Sequence, residues 1–191
     1  MQDSLDRAIR RYECVIFDFD GTLVDLNADW ASLRVALHLR FPGIDFSKLS
    51  IGLLDVLEVY GEQEMSDAWR IVHQYELGGG WKLKPWTLDI LAGCMERNQR
   101  IGIFTSNTRM TAEAILSSEG IRAKFQSVVG AESVRRRKPD PEGLFATLIK
   151  LNASMTQTIY VADGLYEAHT ASMAGLSFFS IDHKTHHAIA A

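Results

Sequence analysis

At 191 residues, with 47% hydrophobic and 23% charged side chains, the chain has the composition of an ordinary globular protein and not of a disordered one. A formal charge of −4 supplies no overall field for nucleic acid or an anionic membrane, so neither is expected as a partner. The two cysteines, Cys14 and Cys94, fit no CxxC or Cys/His zinc pattern, which excludes a readable disulfide framework or metal knuckle and suits a reducing cytoplasm.

Along the chain, Leu5, Ile9 and Tyr12 recur at helical spacing and predict a short amphipathic helix before a strand over Cys14 to Phe17. The opening "MQDSLDRAIRRYE" has no apolar stretch, and nowhere do 18 apolar residues run together, so neither export nor a membrane span is expected. After Asp25 the pattern turns helical. Trp30, Leu33 and Leu37 mark one helix, with Asn27 as its expected cap, before the break at Phe41-Pro42-Gly43. A second runs from about Ser47 to Tyr60 with Gly61 as its stop, and a third from about Glu62 to Glu76. Gly78, Gly79 and Gly80 then read as a hinge, and Pro85 as re-entry into a helix over Thr87 to Glu96. From there strands (Arg100 to Phe104, Ser127 to Gly130, Thr158 to Ala162, Ser177 to Ile181) alternate with helices (Arg109 to Glu119, Pro141 to Leu151, Tyr166 to Ala174). Such alternation implies right-handed crossovers and a mainly parallel sheet: an α/β, Rossmann-like three-layer sandwich with a small all-helical insertion after the first strand. The expected division is 1–25 with 86–191 as the α/β core and 26–85 as the insertion.

Open parallel sheets bind ligands beyond the carboxyl ends of their strands. The residues there are Asp18, Asp20, Gly21 and Thr22 after the first strand, Thr105, Ser106 and Asn107 after the second, and Asp163 after the fourth, with Lys138 just ahead of a helix start at Asp140 and Pro141. Singly, each has an ordinary reading as a turn or helix cap. Together, three acids at one sheet edge repel one another unless a cation stands among them. Magnesium, a lysine and a hydroxyl around a carboxylate nucleophile, with a second acid for proton transfer, is the equipment of phosphoryl transfer.

These segments resemble, in order, the four motifs of the haloacid dehalogenase-like (HAD) hydrolase superfamily: "DFDGTLVD", "IGIFTSN", "RKPDPEGLF" and "IYVADGLYEAHTASMAGL". The resemblance runs from Cys14 to Ile181 and is to the phosphatase branch with a small helical cap, phosphoglycolate phosphatase-like enzymes above all. It implies that Asp18 is the nucleophile and Asp20 the general acid/base, with the Asp20 backbone carbonyl also serving Mg2+. It implies that Thr105, with Ser106 and Asn107, meets the phosphate, that Lys138 steadies nucleophile and phosphate, and that Asp163 binds the metal. Where the family commonly carries a second Asp in the fourth motif, this chain has Glu167, whose longer arm serves the metal directly, through water or by orienting a ligand. The acid at position 20 is absent from the dehalogenase branch, which favours phosphate over halide chemistry.

The resemblance also makes residues 26–85 a cap that selects a small phosphorylated metabolite, in a monomer or homodimer. Trp30 and Trp69 read as cap core, and Trp81, Lys82 and Lys84 as loop residues near a ligand path or solvent. Arg135, Arg136 and Arg137 read first as a solvated basic run. His183, His186 and His187 are not assigned as a metal site. A phosphoglucomutase-like phosphotransferase and a non-catalytic phosphate-binding or interaction protein of the same fold are the alternatives.

Overall fold

The unbroken apolar run of β1 (Cys14–Phe17) is buried at every position, as expected of a strand covered on both faces. In the computed structural model, which describes residues 1–182, β1 is the centre of a five-stranded sheet. His183, His186 and His187 lie outside the described residues. The neighbours of β1 are β4 (Arg100–Phe104) and β6 (Thr158–Ala162), with β5 (Ser127–Val129) and β7 (Ser177–Ser180) at the edges, and every pairing is parallel. The chain moves outward from β1 to β4 and β5, then returns across β1 to β6. That reversal is the topological switch point, and Asp18 follows the strand at which it occurs.

The crossovers are the predicted helices, α5 (Thr87–Glu96), α6 (Arg109–Ser118), α7 (Glu142–Leu151) and α8 (Leu165–Ala174), preceded in the chain by α1 (Gln2–Ile9). One apolar cluster joins Cys14, Ile16, Phe104 and Tyr160 of the sheet to Leu144 and Leu148 of α7 and Ala171 of α8. Gln99 ties the amino-terminal segment to this unit, its amide donating to the carbonyls of Ile9 and Tyr12 at 2.9 and 2.6 Å.

The chain falls into two compact units, Met1–Asp25 with the chain from Lys82 onward, and Leu26–Trp81. The second is helical: α2 (Trp30–Arg40), α3 (Leu49–Tyr60) and α4 (Glu62–Gly78) gather around Leu33, Leu37, Phe41, Leu53 and Val72, with Trp30 and Trp69 packed against them. Asp29, not Asn27, caps α2, its carboxylate accepting from the Ser32 amide at 3.0 Å and the Ser32 hydroxyl at 2.7 Å. Two short strands went unseen in the sequence, β2 (Val24–Leu26) and β3 (Trp81–Leu83), which pair with each other as a separate sheet. Of the three glycines read as a hinge, Gly78 finishes α4 and Gly80 takes a left-handed φ of +75°. Gly79 is needed for close approach, because a Cβ there would stand 1.6 Å from the Asn27 carbonyl oxygen. Among the described residues no helix is long and apolar enough to cross a membrane.

Candidate active site

Asp18 is the residue at which β1 stops. Its amide still donates to the Val161 carbonyl at 2.9 Å, so the backbone is held by the ladder while the side chain stands at the sheet's carboxyl edge. A tight turn follows, in which the amides of Thr22, Leu23 and Val24 all point to the Phe19 carbonyl. Gly21 takes a left-handed φ of +77°, and a Cβ at that position would lie 2.2 Å from Asp163 Oδ2. Glycine therefore serves both the turn and the approach of the loop to the end of β6.

Thr105 occupies the equivalent place after β4, its amide donating to the Val129 carbonyl at 3.0 Å. Its hydroxyl donates to Asn107 Oδ1 at 2.9 Å and accepts from the Asn107 amide at 3.0 Å, so these two buried residues fix each other. Ser106 between them is exposed, and Thr108 caps α6 by accepting from the Thr111 amide. Lys138 arrives from the loop before α7, where Asp140 accepts from the Glu142 amide. At Gly143 a Cβ would meet Phe104 Cε2 at 2.0 Å, so the start of α7 lies directly on that ring.

Four charged groups come together here. Lys138 Nζ is 2.9 Å from Asp18 Oδ1 and 3.5 Å from Glu167 Oε1, with the lysine side chain 1% exposed. Asp18, Asp163 and Glu167 each offer an oxygen, and the three lie within 4.8 Å of one another. Asp163 follows β6 and Glu167 lies in the first turn of α8, so the start of that helix at Leu165 brings the second acid back beside the first. Burial pushes the Asp18 carboxyl up to about 6, against the pull of Lys138 and with further repulsion from Glu167. Asp163 is raised as well, by burial first and then by Glu167. Three carboxylates facing one ammonium leave two negative charges uncompensated, and hard oxygen donors with that deficit fit Mg2+.

Asp20 is half-buried and stands outside this group of three oxygens, near enough for its charge to raise Asp163. Lys84 forms an ion pair with Asp25 at 2.5 Å, and Lys82 is exposed. Arg135 and Arg136 are exposed, their backbone amides held by Glu142 at 2.9 and 3.0 Å. The ion pair between Glu167 and Lys138 was not read from the sequence. Its only signal there was the spacing of four from Asp163, which matters once α8 is known to begin between them.

The sequence profile of the haloacid dehalogenase-like hydrolases matches residues 15–181, which takes in every residue of this site. The chain belongs to the haloacid dehalogenase-like hydrolase family. It is 32% identical over 186 residues to a phosphoglycolate phosphatase of Cereibacter sphaeroides, covering 86% of this chain and 82% of that protein. It is 26% identical over 179 residues to the pyrophosphatase PpaX of Bacillus pumilus, covering 84% and 79%. Among solved structures it resembles a haloacid dehalogenase-like hydrolase from Bacteroides fragilis, with a TM-score of 0.68 and 25% identity, covering 88% of this chain and 87% of that one. The five-stranded parallel sheet with a helical insertion after β1 is thus the family's fold as well as this chain's.

Proposed function

We propose that this hydrolase is a Mg2+-dependent phosphomonoesterase that works through an aspartyl-phosphate on Asp18 and acts on a small phosphorylated metabolite. The observation that carries the reading is the gathering of Asp18, Asp163 and Glu167 within 4.8 Å, with Lys138 2.9 Å from Asp18, at the switch point of the sheet.

In this reading Asp18 attacks phosphorus with a carboxylate oxygen, and the bond from phosphorus to the ester oxygen breaks. Asp20 gives its proton to the leaving oxygen, which departs as an alcohol. Asp20, now a carboxylate, takes a proton from water as that water attacks the aspartyl-phosphate, releasing inorganic phosphate and restoring both acids. Thr105, fixed by Asn107, presents its hydroxyl to a phosphoryl oxygen, and Lys138 keeps Asp18 ionised and offsets charge on the transferring group. Asp18, Asp163 and Glu167, with the Asp20 carbonyl, would hold Mg2+, which when bound neutralises the phosphoryl oxygens.

The similarity to a phosphoglycolate phosphatase and a pyrophosphatase supports phosphate as the transferred group. The test is turnover of a panel of phosphate esters, phosphoglycolate and p-nitrophenyl phosphate among them, with and without Mg2+. Release of inorganic phosphate that requires Mg2+ is expected. No release from any ester, or release indifferent to divalent cations, contradicts the reading.

A further inference from the structure

Lys138 has two kinds of neighbour. Asp18 and Glu167 face its ammonium at 2.9 and 3.5 Å, and the same nitrogen stands over the ring of Phe104, 5.1 Å from its centroid, and over that of Tyr160 at 5.6 Å. The sheet register explains the arrangement. Ile16 is level with Tyr160 on β6, and Phe17 with Ile103 on β4, so one step further Asp18 is level with Phe104. Side chains two apart share a face, which puts the two rings on either side of β1 on the face that carries Ile16 and Asp18. Phe104 rests on α7 at Gly143, and Tyr160 packs on Phe178 with centroids 6.0 Å apart, so neither ring is free to turn away.

Tyr160 is fully buried, yet its hydroxyl makes no hydrogen bond among the described residues. What the ring does present to the site is its face, over which the Lys138 ammonium stands. An ammonium taken out of water loses its hydration, and two carboxylates restore only part of it. The negative faces of two rings add to that, where aliphatic side chains would add nothing.

We propose that Phe104 and Tyr160 are positioning residues, an aromatic cradle that fixes the Lys138 ammonium against Asp18. The proposal rests on the reading of Asp18 and Lys138 as the site of phosphoryl transfer. Preorganised charge aids such a step because nothing has to move as negative charge develops.

Two measurements test it on the full chain, with Tyr160→Phe, Tyr160→Leu and Phe104→Leu as variants and Leu148→Ala, in the same apolar cluster, as a packing control. The first is lysine side-chain NMR. The Lys138 ε-protons are expected upfield of the other lysines in the wild type, Tyr160→Phe and Leu148→Ala, and back toward the common position in both leucine variants. The second is steady-state hydrolysis of p-nitrophenyl phosphate with Mg2+, normalised to folded protein. Each leucine variant is expected to lose about tenfold in kcat with KM changed less than about twofold, while Tyr160→Phe and Leu148→Ala stay within about twofold of wild type. Ordinary Lys138 shifts in the wild type overturn the cradle even where a leucine variant fails to fold, as does a folded Tyr160→Leu with wild-type kcat. A wild type that hydrolyses no ester while showing the upfield protons refutes the hydrolase reading and leaves the cradle standing.

Discussion

The two units treat polar side chains differently. The α/β unit buries Asp18, Lys138, Thr105 and Asn107 outright, whereas in the helical unit the one charged side chain buried among the described residues is Glu76. Burying charge costs free energy that apolar packing does not, so a chain that does it repeatedly at one sheet edge is keeping those groups for chemistry. The helical unit, organised by Leu33, Leu37 and Phe41, gathers no such cluster of buried charge, Glu76 apart.

The contrast is broken most severely by touching the buried charge. Asp18→Asn is expected to lower kcat by at least about 10^3-fold while the thermal midpoint is kept or raised, because a carboxylate pushed up to about 6 by burial is removed. A variant that lost both activity and fold would assign Asp18 a structural role. In the helical unit the order reverses. Leu37→Ala is expected to cost about 2–5 kcal/mol, read as faster amide exchange in α2 and α4. Equal loss of protection in β1 and β4 would show that both units unfold as one.

A smaller effect sharpens the comparison within the site. Glu167→Gln is expected to raise the Mg2+ concentration for half-maximal rate by about tenfold, because one oxygen of the group of three loses its charge. An unchanged metal requirement would confine Glu167 to its contact with Lys138. The smallest effect belongs to an exposed pair. Asp6 is held below its ordinary 3.8 mainly by Arg10, against partial burial and with help from Arg97. A depressed folded value stabilises above the unfolded value and is lost as pH falls through the folded one. Asp6→Asn is therefore expected to lower the thermal midpoint by about 1–2 °C at about pH 7 and not at about pH 2, as thermal melts at the two pH values would show.

The strands and crossover helices were legible because a sheet buried on both faces needs continuous apolar runs, and Gly120 and Gly175 punctuate the helices between them, as Gly61 does in the helical unit. β2 and β3 were not, since three-residue strands such as Val24–Leu26 carry no periodicity. Asn27 and Asp29 are both good caps, and only the geometry of Ser32 decides between them. At the site, residue types and order pointed to Asp18, Thr105, Lys138 and Asp163. Phe104 and Tyr160 carried no such signal, because which ring lies under which ammonium depends on strand register and not on sequence spacing.

The central claim is that Asp18 carries the phosphoryl group. Acid-quenching Asp20→Asn during turnover of p-nitrophenyl phosphate with Mg2+, followed by peptide mass spectrometry, tests it directly. The account predicts a phosphorylated peptide that maps to Asp18 and is absent when Asp18 is also replaced by Asn. Phosphate on any other residue, or continued hydrolysis with no covalent phosphoenzyme, would contradict it.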